Sequence, residues 1–243
     1  MQTFKKNYHM KRGFFISAFI VTLAVAAGFS KGLTVERETR NVTGFTKVNF
    51  GVAGTLYINI GPEFKLVLEG DKSLLDEIKT EVTGGKLVIK KENWHFSINE
   101  KVTAYVTMPE ISGLGVSGSG RAEIKDAVKA VDLDLSVSGS GKIFPADLTV
   151  DNLNISISGS GDVIIDRSGE ATNAEINISG SGNYSGESLK IAKAEISISG
   201  SGNCRCNVTD LLEARVSGSG NVTYLGNPKI DARVSGSGRV SSR

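Results

Sequence analysis

Residues 176–184 read Ile-Asn-Ile-Ser-Gly-Ser-Gly-Asn-Tyr, and this stretch contains the pattern that decides the fold. Its centre is the tetrapeptide Ser-Gly-Ser-Gly, which occurs seven times in the second half of the 243-residue chain. The copies start at Ser117, Ser138, Ser158, Ser179, Ser199, Ser217 and Ser235. They follow one another at intervals of 18 to 21 residues. A motif that returns at such a regular interval indicates a protein built of stacked repeats.

The residues before each tetrapeptide argue against a flexible Ser-Gly linker. The position before the first serine is always Val or Ile, as in Val116 and Ile178. Two residues earlier stands Leu, Ile or Ala, and a small or polar residue lies between the two apolar ones. Apolar residues that alternate with polar ones are typical of a β-strand buried on one face. Each copy is therefore predicted to belong to a strand rather than to a tether.

The same alternation, continued through the tetrapeptide, predicts that both glycines face inward and both serines outward. Because glycine has no side chain, the backbone can bend sharply or approach the core closely there. Each tetrapeptide is thus predicted to form a corner of a coil, with strands of successive coils paired in parallel about 4.8 Å apart. The predicted fold is all-β, a parallel β-helix (β-solenoid) with about 18–21 residues per coil.

The first 30 residues have the composition of a secretory signal peptide. Four basic residues precede the apolar run of residues 14–27, which ends in small residues. We predict cleavage near residues 26–30 and export to the periplasm, the cell surface or the extracellular space. A retained membrane anchor is the alternative, although a predominantly apolar run of 14 residues is short for a bilayer span of about 20.

Charge and cysteine content argue against several classes of function. Without residues 1–30 the chain holds 24 Lys and Arg against 26 Asp and Glu, and no basic block with interleaved aromatic residues remains. Nucleic acid is therefore not a predicted partner. Cys204 and Cys206 are predicted to face inward as free thiols that act as small apolar residues. No cofactor or metal site is predicted, because His95 is the only remaining histidine.

The remaining chain divides into three segments. Residues 31–41 are charged and unpatterned, which suits a linker. Residues 42–112 show strand patterns without the Ser-Gly corner and are predicted to form irregular first coils. They include one short helix near residues 71–79, which Asp71 can cap. Residues 113–243 hold the regular coils, and we predict one continuous domain with residues 42–112.

These patterns resemble a bacterial secreted family, the "putative auto-transporter adhesin, head GIN domain", over about residues 42–240. The resemblance rests on five stretches: Val42-Thr43-Gly44-Phe45, Leu74-Leu75-Asp76-Glu77-Ile78, Gly85-Lys86-Leu87-Val88-Ile89, Val106-Thr107-Met108-Pro109, and the Ser-Gly-Ser-Gly copies with their preceding Val or Ile. It implies a right-handed parallel β-helix outside the cytoplasm. It also implies an adhesin-like role without naming a ligand.

Outward positions of the coils supply the first candidate binding site. Its members are stacked amides and neighbouring hydroxyls: Asn183, Asn203, Asn221, Ser181, Ser201 and Ser219. One interpretation is a ladder that hydrogen-bonds to itself and stabilises the stack. The other is a flat polar strip that docks an extended polymer such as a glycan.

Trp94 and Phe96 supply the second candidate site. They lie two residues apart in a strand pattern, so they share a face. They either pack in the core or at its end, or form an aromatic platform on which sugars stack.

An enzyme on this fold needs clustered carboxylates for acid and base chemistry. Asp162 and Asp166 come nearest, but both are predicted to face outward, and Lys142 and Asn183 rather than a second acid flank Asp162 in its column. No catalytic residue is predicted.

Three functions follow from these observations. The first is an exported, non-catalytic β-solenoid with an adhesin-like surface that binds glycan or protein partners at the cell envelope. The alternative is a structural envelope protein that self-associates through the ends of the solenoid. Arg233, Arg239 and Arg243 either discourage strand addition to the last coil or mark the edge where two copies pair. The third, ranked last, is a polysaccharide-active enzyme.

Overall fold

The computed structural model describes residues 35–92 and 101–243, which form a β-solenoid of about six turns with one short helix. The predicted signal peptide lies outside the described residues. The N-terminal part comprises β1 (Val35–Arg40), β2 (Lys47–Gly51), β3 (Gly54–Ile60), β4 (Lys65–Asp71), α1 (Lys72–Glu77), β5 (Ile78–Thr83), β6 (Lys86–Lys91) and β7 (Val102–Met108).

The regular coils comprise β8 (Gly113–Gly118), β9 (Arg121–Ile124), β10 (Val128–Gly139), β11 (Lys142–Phe144), β12 (Leu148–Gly159), β13 (Asp162–Ile164), β14 (Gly169–Gly180), β15 (Asn183–Gly200), β16 (Asn203–Gly218), β17 (Asn221–Leu225), β18 (Lys229–Gly236) and β19 (Arg239–Ser242).

These coils pair in parallel, as the repeat interval predicts. The first serines of all seven tetrapeptides lie opposite one another, from Ser117 in β8 to Ser235 in β18. The inward residues form columns, and Leu135, Ile155 and Ile176 are each at most 1% exposed. Burial of each such side chain contributes about 2 kcal/mol. The hydrophobic core is therefore a set of apolar columns that runs along the stack.

Two parallel ladders follow from this stacking. The first contains β6, β2, β8, β10, β12, β14, the second halves of β15 and β16, and β18. The second contains β7, β3, β9, β11, β13, the first halves of β15 and β16, β17 and β19. Each Ser-Gly-Ser-Gly corner lies where the chain leaves the first ladder for the second.

The structure corrects the predicted orientation of the corner glycines. Only the second glycine is buried, as in Gly202, whereas Gly200 is half-buried and has a φ of 122°. The chain turns at this first glycine, which leaves it half-buried, but the residues after it keep the predicted alternation: Ser201 is exposed and Cys204 is buried. A Cβ at Gly200 would overlap the carbonyl oxygen of Gly180, and one at Gly202 that of Gly182. Both positions require glycine because the backbone of the preceding coil occupies the space.

The N-terminal part continues the stack but adds antiparallel strands. β2 pairs in parallel with β8, and β3 with β9, so residues from 47 onward join the regular coils directly. β4 pairs antiparallel with both β1 and β7, and β5 pairs antiparallel with β6. The predicted irregular coils are thus hairpin-like additions to the first turns.

One expectation for this part needs correction, and the predicted short helix is confirmed with narrower bounds. Residues 35–40, placed in a linker, form β1, because their alternating Glu and Arg suit an edge strand with one face in solvent. The helix spans Lys72–Glu77, and residues 78 and 79 begin β5 instead. Asp71 occupies the N-cap position but its side chain makes no capping hydrogen bond.

Candidate ligand-binding groove

A shallow groove runs along the outer face of the first ladder. Its volume is about 640 Å³, and it crosses β12, β14, β15, β16 and β18. Two outward columns line it: Ser158, Ser179, Ser199, Ser217 and Ser235, and beside them Ser156, Asn177, Ser197, Arg215 and Arg233. The Ile or Val between the two columns in each coil completes the lining: Ile157, Ile178, Ile198, Val216 and Val234. We call this surface the serine groove. It exists because the outward side chains are short in most coils.

An acidic column lies beside the serine groove and lines the second groove described below. Glu175, Glu195, Glu213 and Asp231 lie opposite one another in successive coils. Arg215 contacts Glu195 at 2.7 Å and Glu213 at 3.6 Å, and Asn177 donates a hydrogen bond to Glu175 at 2.8 Å. The groove therefore has neutral hydroxyl and amide groups along most of its length and two arginines at its C-terminal end.

A second groove of about 480 Å³ lies on the other side of this acidic column. Asn173 donates a hydrogen bond to Asn152 at 3.0 Å, and Asn152 donates one to Asp132 at 2.9 Å. Its polar groups are thus largely bonded to one another, in contrast to the serines of the first groove.

The predicted asparagine strip lies on the second ladder, away from the serine groove. Asn221 donates its amide to Asn203 at 3.1 Å, and Asn203 donates to Asn183 at 3.0 Å. Asn183 donates to Asp162 at 2.9 Å, and Lys142 completes the column with a 2.6 Å contact to the same carboxylate. The column is thus a self-bonded ladder, and ligand binding by it stays a prediction.

Ser181, Ser201 and Ser219 are exposed at the corners between the two ladders. Their backbone N–H groups donate to the glycine carbonyls of the preceding coil at 2.8–2.9 Å. The structure therefore separates these serines from the serine groove, which the first serine of each tetrapeptide lines.

Trp94 and Phe96 lie outside the described residues, so the aromatic platform stays a prediction. Tyr57 and Tyr105, which sequence reasoning did not single out, stack on the outer face with ring centroids 5.6 Å apart. Lys125 lies over the Tyr57 ring at 5.4 Å and Arg37 over the Tyr105 ring at 5.9 Å. The outer face of each ring is therefore covered by a cation.

The carboxylates considered for catalysis do not form a pair. Burial opposes ionisation of Asp162, but hydrogen bonds from Lys142 and Asn183 outweigh it and lower the pKa of this carboxyl. Asp162 therefore stays ionised as part of the ladder, and Asp166 is exposed. Within residues 35–92 and 101–243, no group of three or more His, Cys, Asp or Glu is arranged to hold a metal ion.

Cys204 and Cys206 are buried free thiols, as predicted. Burial raises the pKa of the Cys204 thiol well above its ordinary value, and the neighbouring Cys206 raises it further. A thiol held in this way is unreactive because the thiolate is the nucleophile.

Comparison with known proteins identifies relatives of this fold. A crystal structure of a putative adhesin from Bacteroides fragilis is 25% identical, has a TM-score of 0.80 and covers 89% of this chain and 100% of its own. A putative adhesin from Parabacteroides distasonis is 20% identical, with a TM-score of 0.70 over 86% of this chain and 97% of its own.

A third structure, described as a putative lipid binding protein from Parabacteroides distasonis, is 24% identical, with a TM-score of 0.67 over 86% of this chain and 96% of its own. Comparison with curated proteins gives no match. The part of the chain that the structure describes has no helix with the length and hydrophobicity of a membrane span. A family model covers residues 44–228. The chain therefore belongs to the family described as putative auto-transporter adhesin, head GIN domain.

Proposed function

We propose that this protein is an exported, non-catalytic, adhesin-like module that binds an extended polymer, a glycan first of all, along the serine groove. The groove's continuity over five coils is the observation that carries the proposal. The family and the 25%-identical Bacteroides fragilis structure, both described as adhesins, support the adhesin-like part. Location in the periplasm, at the cell surface or outside the cell follows from the predicted signal peptide.

The groove's repeat suits a polymer better than a single small molecule. A hydroxyl group recurs in every coil along the column from Ser158 to Ser235, at the coil spacing of about 4.8 Å, and a hydroxyl both donates and accepts hydrogen bonds. A small-molecule pocket is usually concave and largely enclosed, whereas this groove follows the sheet surface. A repeating chain can therefore make the same contact in coil after coil.

The test is a glycan-array screen with groove-filling variants. Ser179→Tyr and Ser199→Tyr place a bulky side chain in the groove, while both positions face solvent and leave the core unchanged. The matched controls are Ser181→Tyr and Ser201→Tyr in the same tetrapeptides, outside the groove. We expect the groove variants to lose at least about tenfold in affinity and the controls to bind as the parent does.

The triple variant Asn183→Ala, Asn203→Ala and Asn221→Ala separates the groove from the asparagine strip. Binding that survives the groove variants but is lost in this triple variant would move the site to the strip. A parent that binds no glycan, or loss of binding in the controls alone, would contradict the proposal.

A further inference from the structure

The C-terminal end of the solenoid exposes the end of the hydrophobic core. Every residue of β18 is exposed, including Ile230 at 44% and Val234 at 42%. These two residues continue the apolar columns of Leu212 and Val216, which are 0% and 3% exposed one coil earlier. β18 also lies at the edge of its ladder, with backbone N–H and C=O groups available for another strand.

Among residues 35–92 and 101–243, the N-terminal end of the stack offers no equivalent apolar surface for a second copy. There the first ladder ends in β5, where Lys79 pairs with Glu92 and Glu81 with Lys90. The second ladder ends in β1, which alternates Glu and Arg and in which Arg37 pairs with Glu69 at 2.7 Å. Leu74 and Leu75 of α1 are buried at 5% and 2% exposure. Head-to-tail stacking would therefore place an apolar end against a charged edge, so any partner copy must use its own C-terminal end.

We propose that two copies associate tail to tail, with β18 of each copy pairing antiparallel about a twofold axis at Ala232. In this register Ile230 of one copy lies opposite Val234 of the other, and the apolar columns continue from one core into the next. Asp231 lies opposite Arg233 of the second copy, twice by symmetry. The same patch serves both copies, as an isologous interface requires.

The charges of β18 and the number of residues it can pair select this register. A dyad at residue 230 would place Lys229 opposite Asp231 but would leave most of β18 unpaired. Neither Asp231 nor Arg233 is in an ion pair within the described residues. A dyad at residue 231 would oppose two aspartates, and one at residue 233 would oppose two arginines, which is destabilising across a strand pair. A twofold axis that passed between two neighbouring residues would place each inward side chain of one copy opposite an outward side chain of the other. In the proposed register, the acidic column ending at Asp231 also faces the Arg215 and Arg233 column of the other copy.

Sedimentation of the full chain, in the form that the expressing cell produces, tests the proposal without any groove ligand. We expect a monomer–dimer equilibrium with no larger species. Asp231→Arg and Arg233→Asp each create like-charge pairs, so each should weaken the dimer about tenfold or more. The double variant Asp231→Arg with Arg233→Asp exchanges the two charges and should restore the parent's dissociation constant. Lys229→Ala, which lies opposite Ser235 of the second copy, is the control and should leave dimerisation within about twofold.

A cross-link tests the register itself. Ala232→Cys brings two thiols together at the dyad, so oxidation should give a covalent dimer, whereas Ser235→Cys should not, because its own symmetry mate is several residues away. The native thiols are buried and do not compete. A monomer at every concentration, a continuing series of oligomers, a dimer insensitive to the charge variants, or preferential cross-linking at Ser235→Cys would each overturn the proposal.

Discussion

The two ends of the solenoid end the same ladders in different ways. At the N-terminal end, β1, β4, β5 and α1 cover the first turns with antiparallel strands and a charged edge. At the C-terminal end, β18 and β19 repeat the regular coil and then the described chain ends, with nothing over their apolar residues. Stacked repeats need atypical terminal units to cover the core. Within the described residues, added antiparallel strands and a helix cover the N-terminal end of the stack, whereas the last regular coil at the other end is exposed.

The largest expected difference in stability is between an alanine at a corner glycine of a central coil and an alanine at the same corner of the last coil. Gly200→Ala forces a Cβ onto the carbonyl of Gly180 and a side chain onto a positive φ. We expect a loss of about 3 kcal/mol or more, which lowers Tm by about 6 °C or more.

Gly236→Ala meets the same overlap with Gly218, but the last coil can shift away because nothing covers it. We expect a smaller loss of about 1–2 kcal/mol, because the positive φ of Gly236 still strains an alanine there. Thermal unfolding of both variants gives the comparison, and equal losses would contradict a loosely held C-terminal coil.

The next largest difference is in the stability lost when one apolar side chain is truncated at each end of the solenoid. Leu75→Ala removes a buried side chain of the cap and should cost about 2–4 kcal/mol. Ile230→Ala removes one that is 44% exposed in the single chain and should cost less than about 1 kcal/mol at low protein concentration. Urea unfolding at a dilution that keeps the protein monomeric checks both. If Ile230→Ala lost more unfolding free energy than Leu75→Ala, the N-terminal end could not be the better covered of the two ends.

The asparagine ladder gives a smaller contrast along the stack. Asn203 both donates and accepts a ladder hydrogen bond, whereas Asn221 only donates one. At about 1 kcal/mol for each bond, Asn203→Ala should cost about twice as much as Asn221→Ala. Ser201→Ala, exposed in the same coil, is the control and should be neutral. The ladder would have no stabilising role if all three variants unfolded at the parent's midpoint.

The smallest effect is the acid sensitivity of the same column. Lys142 and Asn183 lower the pKa of Asp162, so the native state binds a proton less readily than the unfolded chain. This contribution is complete above the ordinary carboxyl pKa of about 3.9 and is lost as pH falls through the lower pKa of the folded state. Asp162→Asn should therefore lower stability at neutral pH and reduce the slope of stability against pH below about pH 4. If the unfolding free energies of the parent and of Asp162→Asn fell in parallel below about pH 4, the pKa of Asp162 would not be lowered by folding.

The regular coils can be predicted from the sequence because the pattern that determines them repeats along the chain. The alternation around Ile178 and the interval between tetrapeptides fix which residues stack, and both can be read along the chain. The pattern does not show the turn itself, because the positive φ of Gly200 and its half-buried position depend on the backbone of the preceding coil.

The cap and the groove depend on contacts that the sequence does not show. The alternation in residues 42–112 is compatible with parallel and with antiparallel pairing. The sequence therefore does not show that β4 and β5 run antiparallel to their neighbours. β1 has no apolar alternation at all. The serine groove arises only when side-chain sizes are compared across coils about 20 residues apart, and the first serine of each tetrapeptide was the available signal.

Hydrogen exchange at two protein concentrations tests the contrast between the ends most directly, since it reports local opening strand by strand. We predict that amides of β4 are protected equally at both concentrations, while amides of β18 exchange rapidly when dilute and become protected when concentrated. Protection of β18 that is independent of concentration and equal to that of β4 would show that this end is already closed in the single chain, and would contradict the account.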